Sequence, residues 1–177
     1  MKTVYIGIDP GLKGFITVLE SDEEITFHPI PTINKGKELD SIFLAGLLKG
    51  IVERYKEHRV VFGVENVHAL FGASAGSTFN FGFTAGCIEG VLACLGVTVM
   101  KPAPKTWQKE MWKDITPIKK KSMTGKTEVI DTKATSMKAA RKLYPRVDLR
   151  RTEKCKNLDD NKCDSLLIAT YLRRMNY

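Results

Sequence analysis

The chain has 177 residues, 43% of them hydrophobic, which is enough for one ordinary domain with its own core. No apolar run reaches the roughly 20 residues that a membrane-spanning helix needs, and the N-terminus leads into a strand pattern without the features of a signal peptide. We therefore expect a single intracellular domain. The formal net charge of +8 favours a polyanionic partner, nucleic acid before membrane, although a merely soluble basic protein fits the charge equally well.

Two further features of composition narrow the function. Nine lysines and only four acids lie between Lys101 and Lys133, so the positive charge is concentrated in one part of the chain. The four cysteines show no metal-ligand spacing to one another or to the histidines, and no zinc site is expected. We interpret Cys87 and Cys94 as free thiols buried on one helix face.

The first half of the chain predicts four strands and one helix. Residues 3–8 and 14–19 are apolar and β-branched and are joined by DPGLKG, which predicts a hairpin. The sequence EITFHPI predicts a third strand that ends at prolines. Helical spacing of apolar residues predicts a helix over 39–55, and the apolar run at 60–65 predicts a buried strand parallel to the first.

The second half predicts mainly helices. The segment 77–95 is predicted to be a helix, and its row of small residues is typical of a self-association face or of tight packing within the chain. The small residues are Gly82, Gly86 and Gly90. A fifth strand (97–100) and a helix follow. The basic segment 113–130 predicts a loop or a hairpin, and two final helices end the chain. This order predicts an α/β fold with a mixed five-stranded sheet flanked by helices.

Acidic residues stand at the ends of several predicted elements. Asp9 and Glu65 each end a strand, while Asp160 and Asp164 lie four residues apart on the last helix and share one face. Singly, each has an ordinary explanation as a turn residue, an exposed strand end or a helix cap. Adjacent parallel strands, however, bring Asp9 and Glu65 side by side. Converging carboxylates repel one another unless a cation joins them, and oxygen ligands alone suit Mg²⁺ or Mn²⁺.

Four ordered motifs that span nearly the whole chain resemble those of the RuvC-type Holliday junction resolvases, in their phage-type variant, on the RNase H-like fold. The motifs are IGIDPGLKG, VENVHA, DTKATSMKAARKLYP and DDNKCDSLLIATYL. The resemblance implies a metal-dependent endonuclease that cleaves Holliday junctions, and other branched DNA, by phosphodiester hydrolysis during DNA recombination and repair. It also implies a homodimer in the cytoplasm of a bacterial cell, encoded by the cell or by a phage.

The resemblance also assigns the metal ligands. Two Mg²⁺ or Mn²⁺ ions about 4 Å apart would be bridged by Asp9, with Glu65 and the closing acids completing their shells. The bacterial form of the closing motif has its acids three apart, where this chain has Asn161. We assign Asp160 and Asp164, at the four-residue spacing of phage-type members, and Asp159 stays a rival for Asp160.

Further residues are predicted to contact DNA. Lys133, together with Lys109 or Lys105, would neutralise the phosphate in the transition state. After the second motif, His68 and Phe71 stand where the family carries an aromatic side chain that meets bases at the branch. The lysine-rich segment near 113–130 would bind the DNA backbone through a cluster of three lysines. These are Lys119, Lys120 and Lys121.

Two other functions compete with this interpretation. The chain could keep the fold but act only as a noncatalytic module that binds structured nucleic acid, although the complete acid set argues against that. An RNA-processing nuclease of the same fold would use the same acids on structured RNA. Cleavage of four-way, three-way, flap and linear substrates would distinguish the alternatives.

Overall fold

The structure is a computed structural model that describes residues 1–66, 74–122 and 125–177. In chain order the elements are β1 (Thr3–Ile8), β2 (Phe15–Leu19), β3 (Ile25–Pro29), β4 (Thr32–Ile33), a 3₁₀ helix (Asn34–Gly36), β5 (Glu38–Leu39), α1 (Ser41–Arg54), β6 (Arg59–Val64), α2 (Ala75–Cys94), β7 (Val99–Met100), α3 (Pro104–Met111), β8 (Lys119–Lys121), β9 (Glu128–Ile130), α4 (Thr132–Leu143) and α5 (Asp160–Arg174). None of the helices in these described ranges is both long enough and apolar enough to cross a membrane.

The main sheet has five strands in the order β3-β2-β1-β6-β7. β1 pairs antiparallel with β2 and parallel with β6, and the second pairing aligns Ile8 with Val64. This confirms the predicted mixed α/β sheet. Because the two parallel strands end together, Asp9 and Glu65 leave the sheet side by side, and the Glu65 backbone N–H donates to the Ile8 carbonyl oxygen at 3.1 Å.

Helices cover both faces of the sheet. Helices α3, α4 and α5 share one apolar core, and α1 and α2 share the other with the β1 side chains Val4, Ile6 and Ile8. α5 passes very close to β1, because a Cβ atom at Gly7 would lie 2.1 Å from the Ser165 carbonyl oxygen. Glycine at this position therefore lets the last helix lie directly on the strand that leads to Asp9.

Helix α2 departs from two expectations. It buries Thr84, Ile88 and Leu92, at a four-residue spacing. The three glycines of the same helix lie on its exposed side, where an added Cβ atom would meet nothing within 4 Å, so the prediction that this row packs tightly within the chain is wrong for the described residues. Cys87 is only half-buried and Cys94 is exposed, which corrects the prediction that both thiols are buried.

Two small two-stranded ribbons complete the structure. β4 and β5 flank the 3₁₀ helix and were not predicted, because each has only two residues. β8 and β9 pair antiparallel, so the basic segment forms the hairpin that was one of its two predicted structures. All six residues of these two strands are exposed. The hairpin is joined to the start of α4 through the Asp131 N–H, which donates to the Ile118 carbonyl oxygen at 2.7 Å.

Candidate active site

Four carboxylates meet beside the end of β1. Asp9 follows β1, Glu65 follows β6, and Asp160 and Asp164 lie on the first turns of α5. A buried hydrogen bond of 2.7 Å between Thr17 Oγ1 of β2 and Ser165 Oγ holds α5 against the sheet. The structure thus brings together the four acids that the sequence predicted as a cluster.

Asp9 is the most buried of the four and is 8% exposed. Burial, together with the negative charge of Glu65, raises the pKa of Asp9 to about 7. A backbone N–H from Gly11 and the positive charge of Lys133 act in the opposite direction. Such a group is costly to ionise without a nearby cation, because it is removed from water and lies beside other acids.

Asp164 lies in a similar environment. Burial and the charge of Asp9 raise the pKa of Asp164 well above its usual value. The buried Oδ1 atom of Asp164 has no hydrogen-bond partner among the residues that the structure describes. A buried carboxylate oxygen without a donor is unfavourable unless something else binds it.

Trp107 orients Glu65, and sequence reasoning did not find this interaction. The fully buried indole of α3 donates from Nε1 to Glu65 Oε1 at 2.9 Å. Burial raises the pKa of Glu65, and this hydrogen bond lowers it in part. The sequence signal that could have indicated it is the tryptophan itself. A tryptophan that packs in the core needs an acceptor for its indole N–H, and a nearby carboxylate can supply one.

Asp159 and Asp160 have different surroundings although they are neighbours. Asp159 caps α5 by accepting from the Lys162 N–H at 3.1 Å, and its other oxygen binds Arg151 Nε at 2.5 Å. Asp160 instead forms an ion pair with Lys133 at the start of α4. Asp160 also raises the pKa of Asp9 and of Asp164, so it faces the cluster.

Arg151 contacts both the turn that follows Asp9 and the residue that caps α5. Besides its pair with Asp159, its guanidinium donates to the Lys13 carbonyl oxygen and lies 4.8 Å from the centre of the Phe15 ring. Lys13 lies in the turn that follows Asp9, and Asp159 precedes Asp160. Arg151 therefore connects the β1–β2 turn to the start of α5, and nothing in the sequence pattern indicated this role.

The predicted cations are only partly brought to the cluster. Lys133 reaches it, and the hydrogen bond to Asp160 is the largest cause of the raised pKa of Lys133. Lys105 and Lys109 are exposed on α3 and stand two residues to either side of Trp107. At about 100° per residue this places both on the side of the helix opposite the Glu65 hydrogen bond, so the structure does not bring them to the acids.

The remaining predicted DNA-binding residues lie elsewhere. Lys119 pairs with Glu128 at 3.5 Å and Lys120 with Asp131 at 3.3 Å, both on the exposed hairpin. Lys121 is exposed on the same strand. His68 and Phe71 lie outside the described residues.

Known structures share this arrangement of sheet and helices. No family model and no curated protein matches the sequence. Thermus thermophilus RuvC in complex with a Holliday junction substrate superposes with a TM-score of 0.60 at 14% identity, covering 98% of this chain and 96% of that one. A second T. thermophilus RuvC structure has a TM-score of 0.55 at 15% identity and covers 98% of this chain and 96% of that one. The yeast mitochondrial Holliday junction resolvase Ydc2 has a TM-score of 0.57 at 12% identity and covers 98% of this chain and 78% of that one.

The chain has a RuvC-type resolvase fold. At these identities the likeness concerns the course of the backbone, and it extends over nearly the whole chain. This likeness confirms the fold that the four motifs indicated.

The donor set in this RuvC-type fold fits a hard divalent cation. It contains four carboxylates and neither histidine nor cysteine, which suits Mg²⁺ or Mn²⁺. Across residues 1–66, 74–122 and 125–177, no three acidic, histidine or cysteine side chains are close enough to hold an ion as they stand. Glu65 is turned to Trp107 and Asp160 to Lys133. The unpartnered Asp164 Oδ1 and the raised pKa values indicate a site that gains from binding a cation.

Proposed function

We propose that this protein is a metal-dependent endonuclease that resolves Holliday junctions by hydrolysing phosphodiester bonds. The observation that carries the proposal is the cluster of four carboxylates at the end of β1, in which burial and mutual repulsion raise the pKa values of Asp9 and Asp164 and burial raises that of Glu65. An arrangement that is unfavourable in the free protein is expected where a cation and a phosphate bind. The RuvC-type fold supports a branched DNA as the substrate.

The acids would hold the divalent ions. Asp9 has the central position, because its charge interacts with Glu65, Asp160 and Asp164 alike. Asp164 would offer its unpartnered Oδ1, and Asp160 in place of Asp159 would complete the set. When bound, Mg²⁺ or Mn²⁺ ions supply an activated water and stabilise the leaving oxygen.

Lys133 is the cation best placed to act on the phosphate. Its ammonium pairs with Asp160 and is influenced by Asp164 and Asp9. A charged donor at this point can stabilise the extra negative charge of the pentacovalent phosphate. Lys109 and Lys105 have no comparable interaction with the acids, and we place them outside the reaction centre.

The partner would be a second copy of the same chain. A four-way junction has two equivalent strands to cut, and a twofold dimer places one site on each. The exposed glycine row of α2 supports a dimer, because a helix of the second copy could approach the α2 backbone closely there. The exposed Phe79 and Phe83 rings, stacked 6.3 Å apart on the same helix, add apolar surface to be covered.

The deciding experiment is cleavage of a substrate panel. Labelled four-way, three-way, flap and linear DNAs of the same sequence, together with a structured RNA, are incubated with Mg²⁺, with Mn²⁺ and with EDTA. We expect metal-dependent cutting of the four-way junction above all others, and none by Asp9→Asn. Binding without cutting at any metal concentration would instead identify a noncatalytic module. Preferential cutting of a structured RNA would identify the RNA-processing alternative.

A further inference from the structure

A basic groove leads away from the carboxylate cluster along α4. It has a volume of about 920 Å³, and Lys133 and Asp160 of the cluster form part of its wall. Its floor is apolar and includes Ile118, Met137 and Leu158. Because Lys133 and Asp160 line both the groove and the cluster, the two sites adjoin and one bound strand can pass from one into the other.

The rim of this groove carries several cations. Lys138, Arg141 and Lys142 follow Lys133 on α4. Two of them bind the segment that follows α3. Lys138 Nζ donates to the Thr116 carbonyl oxygen at 3.1 Å, and Lys142 Nζ donates to the Asp114 carbonyl oxygen at 2.8 Å. Arg141 is exposed and has no hydrogen bond or ion pair within the described part of the chain.

A second, smaller cavity of about 270 Å³ continues the same path. It shares Arg141 and Leu158 with the groove and adds Arg146, Arg150 and Lys156. Arg150 is neutralised by Asp148, with nitrogen–oxygen distances of 2.9 Å. Arg146 and Lys156, like Arg141, have no partner among the residues that the structure describes. Three uncompensated cations thus follow one another away from the cluster.

We propose that this path, from Lys133 through Arg141 to Arg146 and Lys156, binds the DNA arm that continues from the cleaved phosphate. The inference rests on the proposed function and names the route of its substrate. A nucleic acid strand that is cut internally must leave the site in two directions, and the groove is an exit that begins at the cluster. The sugar edge of the strand fits the apolar floor, and the phosphates face the unpaired cations.

The geometry predicts where the phosphates are bound. Lys133 and Arg141 are eight residues apart on one helix, which corresponds to about 12 Å along its axis. Phosphates of one strand of a duplex rise about 3.4 Å per step, so Arg141 lies about three to four nucleotides from the cleaved phosphate. The interaction is electrostatic and is expected to be independent of base sequence.

The test combines a protein variant with altered DNA. Binding of a four-way junction is measured without added metal, so that no cleavage occurs, for the wild-type protein and for Arg141→Gln. Single methylphosphonates remove the charge of one phosphate at a time, one to six nucleotides to either side of the cleavage point. Arg174→Gln is the matched control, because Arg174 is exposed at the end of α5 and lines neither cavity.

We expect Arg141→Gln to lower junction affinity by roughly three- to tenfold and to reduce the log–log salt slope by about 0.9. A methylphosphonate three to four nucleotides away, on one side only, should weaken the wild-type protein and leave Arg141→Gln unaffected. Equal effects of every methylphosphonate on both proteins, or the same decrease with Arg174→Gln, would overturn the proposed route. A wild-type protein that binds junctions but never cuts them would remove the nuclease activity, and the affinity and salt slope of Arg141→Gln against those of Arg174→Gln would still test the route.

Discussion

Among the single residues, Asp9 couples the candidate site to stability. The pKa of Asp9 is about 7 in the folded protein against an ordinary value of 3.8, so the folded state holds the proton more tightly than the unfolded chain. Protonation of Asp9 therefore stabilises the folded state. This contribution to stability is complete below about pH 4 and disappears as the pH rises through about 7.

We therefore predict that Asp9→Asn abolishes cleavage and stabilises the metal-free protein in a pH-dependent way. The gain in unfolding free energy should grow from near zero at pH 4 to on the order of 2–4 kcal/mol at pH 8. Urea unfolding at both pH values measures it. Glu23→Gln, at an exposed carboxylate between β2 and β3, is the control and should show no such growth. A gain that is the same at both pH values would contradict the burial of an ionised Asp9.

The neighbouring acids at the start of α5 should separate stability from activity. Asp159 caps the helix and binds Arg151, whereas Asp160 faces the cluster. Asp159→Asn keeps a capping side chain but breaks the pair with Arg151, and we expect it to cost about 1 kcal/mol of stability while cleavage is largely retained.

The matched change Asp160→Asn should do the reverse. Its pair with Lys133 is partly exposed, so the decrease in stability should stay within about 0.5 kcal/mol, and cleavage should fall strongly. Single-turnover rates at saturating junction together with urea midpoints distinguish the two variants. Abolished cleavage in Asp159→Asn alone would make Asp159 the ligand.

Among the secondary-structure elements, the β8–β9 hairpin contributes neither to a core nor to the carboxylate cluster. An isolated two-stranded ribbon with all six residues exposed gains little from burial. The residues that fasten it are Asp131 and Thr135, the latter accepting from the Ile118 N–H at 3.0 Å. This holds the hairpin beside the first turn of α4, which carries Lys133.

We predict that replacing Lys119, Lys120 and Lys121 with alanine weakens junction binding and flattens its salt dependence. The log–log slope should fall by about 0.9 for each phosphate that the variant no longer neutralises, and the melting temperature should change little because the lysines are exposed. The same replacement at Lys37, Lys49 and Lys56, which are exposed near the other core, removes equal charge and serves as control. An unchanged slope would identify the hairpin lysines as merely solvated.

For the whole molecule, the open face of α2 determines how two copies could assemble. Gly86 is exposed, and an added Cβ atom would meet nothing within 4 Å among the residues that the structure describes. A large substitution there is therefore compatible with the fold and incompatible with a closely packed helix of a second copy.

We predict that the wild-type protein is a dimer and that Gly86→Arg is a folded monomer. Replacement of a helical glycine contributes up to about 1 kcal/mol of helix stability, which favours a folded chain when the interface is lost. Sedimentation equilibrium measures the assembly state. Gly50→Arg, at an equally open position on α1, should stay dimeric, and a dimeric Gly86→Arg would place the interface elsewhere.

Local sequence patterns were sufficient to predict the strands of the main sheet, the principal helices and the positions of the four acids. Hydrophobic periodicity sets each element, and the acids stand at element ends. The expected proximity of Asp9 and Glu65 also followed from the pattern, since adjacent parallel strands end at the same edge. The two-residue strands β4 and β5 carry too few residues for a periodic pattern, and they were missed for that reason.

The surroundings of the acids, in contrast, became known only from the packed chain. Trp107 binds Glu65 across 42 residues of sequence, and Arg151 reaches Lys13 across 138. Asp159 and Asp160 differ in their contacts because their side chains point in different directions at the first turn of α5. Which side of α2 is exposed is decided by the positions of α1 and the sheet. Interactions of this kind arise from the packing of distant elements, and no local pattern encodes them.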